Sequence, residues 1–266
     1  MKYVYLSIIY LLVGYVLILI FIYLNQRNLL YHPAENNYLD NKIEFNYEEV
    51  SIETTKDIKL KSWFIKKDLE KYKTFVFFHG NVGNLFNRVH KLNELNKLDI
   101  NILIISWRGF SGNSGKPTEK NLYTDAKLII KWLNNLGVSD DKIILYGESL
   151  GTGVAVELGQ KNTFNSVILE SPFTSISKAA KIYYPYLPIN LLLKDRYDSI
   201  DKIDKIKKPI LIMHGIKDNI VPHEMGVMLF EKANYPKYSY FPKHDDHMMD
   251  FNEKLLDKIR VFINKY

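Results

Sequence analysis

The residues best suited to chemistry run from Gly147 to Gly151 and read Gly-Glu-Ser-Leu-Gly. They follow an apolar run at 142–146, typical of a buried strand, and precede a helical pattern at 150–160. A sharp turn from strand to helix leaves no room for side chains two residues either side of its centre, which explains the two glycines. Such a turn sets the Ser149 hydroxyl at a helix N-terminus, where developing negative charge is stabilised. The motif therefore predicts that Ser149 is a nucleophile.

A serine hydroxyl attacks well only when a base takes its proton, so a histidine is required. The seven candidates are His32, His79, His90, His214, His223, His244 and His247. His244 lies in a loop after a strand-like segment at 238–241 and before the last helical pattern, and we predict that it is the base. His247, three residues later, remains the alternative. Asp218 follows the apolar run Ile210–Met213 and is predicted to orient the imidazole.

The oxyanion formed by attack on an acyl carbon needs two N–H donors. The backbone N–H of Leu150 directly follows the nucleophile and supplies the first. The second should come from the loop after the apolar run Thr74–Phe78, which reads His79-Gly80-Asn81. We assign the backbone N–H of Asn81 to this role.

The segments that carry these residues alternate between strand-like and helical patterns. Runs apolar on both faces occur at 74–78, 100–106, 142–146, 166–169 and 210–213, and helical patterns lie between them at 85–98, 122–136 and 150–160. Strands at 48–53 and 58–65 alternate apolar and polar residues, as half-exposed antiparallel strands do. The pattern predicts an α/β fold with a mostly parallel sheet covered by helices on both faces.

With these motifs in order, the chain resembles the α/β-hydrolase superfamily, and within it a branch of membrane-anchored, serine-aminopeptidase-like α/β-hydrolase-domain proteins. The resemblance covers nearly the whole chain. It rests on residues 26–33 (QRNLLYHP), 79–84 (HGNVGN), 107–119 (WRGFSGNSGKPTE), 147–151, 170–175 (ESPFTS), the Asp218 loop and His244-Asp245-Asp246. The resemblance implies the chain order nucleophile, acid, base, which Ser149, Asp218 and His244 follow. The family usually has His-Asn-Asp at the last site, so Asp245 is a departure.

The N-terminal segment predicts a membrane anchor. From Tyr3 to Gln26 the chain has 24 residues without a formal charge, bracketed by Lys2 and Arg27. About 20 helical residues cross a ~30 Å hydrocarbon layer. We therefore predict a single transmembrane helix at 4–24, a polar connector at 25–45 and one hydrolase domain at 46–266. The side of the membrane is not readable from so few flanking charges.

The remaining composition narrows the function further. The chain has no cysteine, 36 basic and 30 acidic residues, and lysines spread along the whole chain after the apolar segment, so nucleic-acid binding is not expected. An insert at 176–208 is aromatic-rich, and we predict that it is a cap rather than an ordinary connecting helix. Its net charge of +4 leaves two interpretations open: contact with an anionic bilayer, or only the high lysine content of this chain. A metal site at His244-Asp245-Asp246-His247 is disfavoured because no further ligand group accompanies it.

Together these features predict a membrane-anchored serine hydrolase that cleaves an acyl ester or thioester of a small-molecule or lipid-like substrate, without cofactor or metal. Two alternatives stay open. One is a serine peptidase or aminopeptidase that uses the same triad, and the other is a non-catalytic membrane-tethered binding module.

Overall fold

The structure is a computed structural model that describes residues 1–34, 42–55 and 58–266. Its helices and strands, in chain order, are α1 (Lys2–Leu30), β1 (His32–Pro33), β2 (Glu48–Glu53), β3 (Lys59–Ile65), β4 (Thr74–Phe78), β5 (Val82–Gly83), α2 (Val89–Leu95), β6 (Asn101–Ile105), α3 (Glu119–Asn135), β7 (Ile143–Glu148), α4 (Leu150–Gly159), β8 (Ser166–Glu170), α5 (Ile176–Tyr183), α6 (Ile189–Leu192), β9 (Ile210–Met213), α7 (His223–Lys232), β10 (Lys237–Tyr240) and α8 (Glu253–Lys265).

Among the described residues, eight strands form one sheet in the order β10-β9-β8-β7-β4-β6-β3-β2. β3 pairs antiparallel with both β2 and β6, and all other neighbours in this sheet are parallel. The predicted α/β fold with a mostly parallel sheet is therefore confirmed. The central strands are buried along their whole length, so both faces of each must be apolar.

Alternate residues of each strand pack into two cores, one on each face of the sheet. In β4, Val76 and Phe78 belong to the core formed with α3, α4 and α7. Phe75 and Phe77 belong to the core formed with α2 and α8. Helices thus cover both faces, as the sequence predicts.

The parallel strands end together at one edge of the sheet. Phe78 lies opposite Gly147, and Glu170 lies opposite both Glu148 and Met213. The loops that follow β4, β7, β8 and β9 consequently meet at this edge, and they carry most of the residues singled out by sequence.

The N-terminal apolar helix is present, but it is longer than predicted. Helix α1 continues to Leu30, so the start of the predicted connector at 25–30 is helical. The reason is tertiary contact: Gln26 donates to the Leu192 carbonyl at 3.0 Å, and Arg27 is paired with Asp195 at 2.9 Å. These contacts hold polar residues in the helix beyond the apolar segment. Residues 35–41 of the predicted connector lie outside the described residues.

The insert between β8 and β9 forms α5, α6 and two short 3₁₀ turns, Ser199–Asp201 and Ile203–Lys205. Ser175 caps α5 because its hydroxyl accepts a hydrogen bond from the Lys178 backbone N–H. The segment between α5 and the 3₁₀ turns packs against α1, so the insert joins the apolar helix to the rest of the domain.

Candidate active site

Ser149 stands on a strained turn between β7 and α4, with φ 49° and ψ −116°. The glycines on either side permit this turn. A Cβ on Gly147 would lie 2.6 Å from Thr152 Cα, and one on Gly151 would lie 1.9 Å from the Phe78 carbonyl oxygen. The sequence argument for glycine at both flanks therefore has a direct steric cause, and a non-glycine residue in this left-handed region is a mark of functional sites.

The hydroxyl of Ser149 is linked to an imidazole and a carboxylate. His247 Nε2 lies 3.0 Å from Ser149 Oγ, and His247 Nδ1 lies 2.7 Å from Asp218 Oδ2. With the Nδ1–H donated to the carboxylate, Nε2 is left to accept the serine proton. The structure thus brings Ser149 and Asp218 together as the sequence predicts.

The prediction that His244 is the base is wrong, because His247 occupies that position and His244 is exposed. The loop after β10 first crosses Gly215, where a Cβ would lie 2.4 Å from the carbonyl oxygens of Asp245 and Asp246. Only beyond this crossing does the chain reach Ser149. There Ser171 Oγ donates to the His247 carbonyl at 2.8 Å and fixes the backbone that presents the imidazole.

Asp218 is held in place by more than its contact with His247. Its Oδ1 accepts hydrogen bonds from the backbone N–H groups of Ile220 and Val221, both at 2.8 Å. Its Oδ2 also lies 2.9 Å from Nε2 of the buried His214. Burial alone would raise the pKa of Asp218, but the hydrogen bonds from the two imidazoles and from Val221 outweigh burial and lower it. The acid therefore stays ionised at neutral pH.

The two amides proposed for the oxyanion lie on either side of the serine. Leu150 follows it directly, and the Asn81 loop approaches so closely that a Cβ on Gly80 would lie 3.4 Å from Ser149 Cβ. The Gly80 N–H is engaged by Glu148 Oε1 at 3.2 Å. The Asn81 side chain donates to the Leu30 carbonyl at 2.5 Å, so this amide group is already engaged within the protein.

A buried charge cluster, made of Arg88, Lys91, Glu148 and Glu170, lies beneath this loop. Lys91 Nζ is fully buried and lies 2.6 Å from both Glu148 Oε2 and Glu170 Oε1. Arg88 reaches Glu148 Oε1 at 2.6 Å and donates to the Val82 carbonyl at 2.7 Å. Because Glu148 precedes Ser149 and Arg88 donates to the loop after β4, the cluster ties that loop to the turn at Ser149.

The two carboxyl groups of this cluster have pKa values that are shifted in opposite directions. Burial opposes ionisation of Glu148, but the positive charges of Arg88 and Lys91 outweigh burial and hold its pKa well below the ordinary value. Burial raises the pKa of Glu170, which has Lys91 as its only close cation among the described residues. Tyr146 Oη also contacts Glu170 Oε2 at 2.6 Å.

Sequence reasoning did not identify Arg88, Lys91 or Glu170 as site residues. A signal was present in the pattern at 85–98, where Arg88 and Lys91 share the buried helix face with Leu92 and Leu95. Charged residues at apolar positions of a helix rarely stay buried unless they are paired. The partners could not be named without the fold.

His79, in the loop after β4, is fully buried and neutral. Nδ1 lies 2.7 Å from the Gly80 carbonyl oxygen, and Nε2 lies 3.4 Å from the Trp107 backbone nitrogen, which assigns the Nδ1–H tautomer. Burial, and then the charge of Arg88, lower the pKa of His79 to about 3.

We therefore expect acid to destabilise the protein through His79. In the unfolded chain the His79 imidazole has a pKa of about 6.5, so it binds a proton below that pH, whereas in the folded chain it stays neutral down to about pH 3. The free energy of unfolding therefore falls as the pH drops from about 6.5 to about 3. At pH 5 the loss is about 2 kcal/mol relative to neutral pH. Urea unfolding in mild detergent at pH 7 and pH 5 would measure it, and His79→Gln should remove that part of the fall. An equal fall in both proteins would contradict this assignment.

Comparison with known proteins identifies the family. Residues 73–191 match a family model described as the alpha/beta hydrolase fold. Protein bem46 of Schizosaccharomyces pombe is 33% identical over 245 residues, which cover 85% of this chain and 82% of bem46. Alpha/beta hydrolase domain-containing protein 17B of Homo sapiens is 30% identical over 217 residues, covering 80% of this chain and 73% of that protein.

The solved structures agree on the fold. An esterase from Pyrococcus furiosus superposes with a TM-score of 0.69 at 20% identity, and the match covers 89% of this chain and 98% of the esterase. One conclusion follows from the order of the strands, the turn at Ser149 and the relatives at 30% identity or above. The chain belongs to the α/β-hydrolase family.

Proposed function

We propose that the protein is a serine hydrolase, anchored to a membrane by α1, that cleaves an acyl ester or thioester. The observation that carries the proposal is the continuous hydrogen-bonded chain from Ser149 Oγ through His247 to Asp218, at 3.0 and 2.7 Å. Nucleophile, base and orienting acid within hydrogen-bond reach are the requirements of acyl transfer through a serine.

In the proposed mechanism, Ser149 Oγ attacks the acyl carbon while His247 Nε2 takes the hydroxyl proton. Asp218 holds the imidazole through Nδ1–H and stabilises the imidazolium that forms. The backbone N–H groups of Asn81 and Leu150 donate to the oxyanion, and each such donor typically contributes about 2.7–4 kcal/mol to the barrier reduction. His247 then protonates the leaving alcohol or thiol. Water, deprotonated by His247, hydrolyses the acyl-enzyme and regenerates Ser149.

Membrane anchoring is supported by α1 itself. The helix has 29 residues and contains an 18-residue stretch with a mean hydropathy of 2.6, and its apolar side chains are largely exposed rather than packed in a core. The apolar stretch is close to the ~20 helical residues that cross a hydrocarbon layer of ~30 Å.

Labelling with a fluorophosphonate, which reacts with activated serines, tests the catalytic proposal. We expect the full chain in detergent to label and Ser149→Ala to remain unlabelled. Ser111→Ala is a matched control because Ser111 also lies in a loop at positive φ, 51° against 49° for Ser149. The proposal is wrong if the wild-type protein does not label, or if Ser149→Ala labels as strongly as wild type.

The leaving group is identified by a second measurement on protein that has not been labelled, because the fluorophosphonate blocks Ser149. Matched acyl esters, acyl thioesters and aminoacyl amides of equal acyl length should give turnover with the first two classes. Faster turnover of the aminoacyl amides would favour the peptidase alternative.

A further inference from the structure

The cap insert contains a stretch with the composition of a membrane-inserted segment. Residues 182–193, which we call the cap tip, are twelve residues without a charge, flanked by Lys181 and Lys194. Several of its apolar side chains are exposed, with Leu191 at 84% and Tyr186 at 69%. An apolar surface of this kind marks a contact with another molecule or with lipid.

The cap tip lies along α1. Tyr15 Oη donates to the Tyr186 carbonyl at 2.9 Å. Near the other end, Gln26 Nε2 donates to the Leu192 carbonyl at 3.0 Å, and the Lys194 backbone N–H donates to Gln26 Oε1 at 2.7 Å. Gln26 comes eleven positions after Tyr15, so the tip follows the helix for about 16 Å.

This contact fixes where the cap tip must be if α1 enters a bilayer. The tip runs beside the part of α1 that has no formal charge, over about the thickness of one hydrocarbon leaflet. The helix cannot enter the hydrocarbon along this length while the tip stays in water. We propose that the cap tip is inserted in the hydrocarbon of the leaflet next to Arg27, where Leu191 and Tyr186 contact lipid acyl chains.

The charged residues next to the cap tip lie where the lipid headgroups would be if the tip is inserted in the hydrocarbon. Lys194 Nζ donates to the Tyr23 carbonyl at 3.1 Å and lies 3.9 Å from the centre of the Tyr23 ring, so its charged end is held at the edge of the apolar segment. At this level a groove of about 400 Å³ is lined by Arg27, Glu119, Lys120, Tyr123, Thr124, Lys127, Lys194 and Asp195. The groove has four cationic side chains and two carboxylates, and this excess of positive charge would attract anionic lipid headgroups.

The inserted tip would lie beside the catalytic machinery. Tyr183 Oη lies 2.8 Å from the Asn219 carbonyl oxygen and 2.9 Å from that of Ile220, in the loop that carries Asp218. Ile220 is itself exposed and extends the apolar surface from the tip toward the site. The inference rests on the proposed membrane anchoring by α1, and it adds that the mouth of the site faces the leaflet.

The absence of cysteine makes a direct test possible. Single cysteines are introduced in the full chain as Leu191→Cys on the tip, Leu11→Cys on α1 and Val261→Cys on α8, at positions 84%, 75% and 68% exposed. Each is labelled with the fluorophore NBD and reconstituted in phosphatidylcholine vesicles with a fraction of phosphatidylglycerol. We expect lipids with a doxyl quencher on the acyl chain to quench the probes at 191 and 11, with loss of quenching by aqueous iodide. The probe at 261 should behave in the opposite way.

The outcomes separate this inference from the anchoring on which it rests. A probe at 191 that iodide quenches, with the probe at 11 protected by lipid, would overturn the inference and leave the anchor intact. Iodide quenching at both 191 and 11 would overturn the anchor as well. A probe at 191 that neither quencher reaches would mean that protein, such as a second copy of the chain, covers the tip, and would also overturn the inference. Fluorophosphonate labelling of the same samples reports the catalytic proposal independently.

Discussion

Replacing His247 by alanine is expected to lower kcat/KM for a short, soluble p-nitrophenyl ester by about 10⁴-fold or more. His247 is the group within 3.0 Å of Ser149 Oγ, and without it no base takes the serine proton during attack or returns it to the leaving group. The residual rate would come from substrate binding and the two oxyanion amides alone. Initial rates measured on the purified full chain in detergent would give the ratio.

His244→Ala is the matched control, since it removes the same side chain three residues earlier in the same loop. His244 is exposed, so the variant should stay within about twofold of wild type, as surface substitutions usually leave the fold intact. Both variants should be compared at equal folded fraction by circular dichroism. Loss of activity in His244→Ala with retention in His247→Ala would reverse the assignment of the base.

The positions of the strands along the chain were the most predictable part of the fold. The runs Thr74–Phe78 and Ile210–Met213 occur at the predicted residues because a strand buried on both faces is a continuous apolar run bounded by polar residues. The end of α1 was less predictable. Gln26 and Arg27 read as the start of a connector, yet each has a partner in the cap that is more than 160 residues away in sequence. Local pattern carries no information about such contacts.

The residues of the candidate site also differ in how far the sequence alone could identify them. Ser149 is identified by steric requirements of its own neighbours, and Asp218 by its place after a strand. The choice between His244 and His247 depends on the path of a loop, and that path is set by Gly215 and Ser171 on two other loops. A sequence argument that places a base in the correct loop cannot resolve a three-residue difference when distant contacts decide it.

The second large effect is expected from a substitution in the buried charge cluster, which should lower the stability of the protein. Lys91→Met is expected to lower the free energy of unfolding by about 3–5 kcal/mol, because it removes the buried cation that contacts both Glu148 and Glu170 and leaves buried negative charge uncompensated. Methionine has a similar length, so lost packing contributes little. Urea unfolding at pH 7 in mild detergent would measure the change. The deficit should shrink as the pH falls, since protonation of a carboxyl in the variant relieves the uncompensated charge.

Lys97→Met is the control, because Lys97 forms an ion pair with Glu94 at the surface, just after the same helix, and such pairs contribute little. Its unfolding midpoint should match wild type. The double variant Lys91→Met/Glu170→Gln tests the cause directly: it removes a carboxylate together with the cation and should be more stable than Lys91→Met alone. If Lys91→Met unfolds at the same urea concentration as Lys97→Met, the cluster does not hold the loop and the turn together. If the double variant gains nothing over the single one, the cost of Lys91→Met does not arise from uncompensated charge.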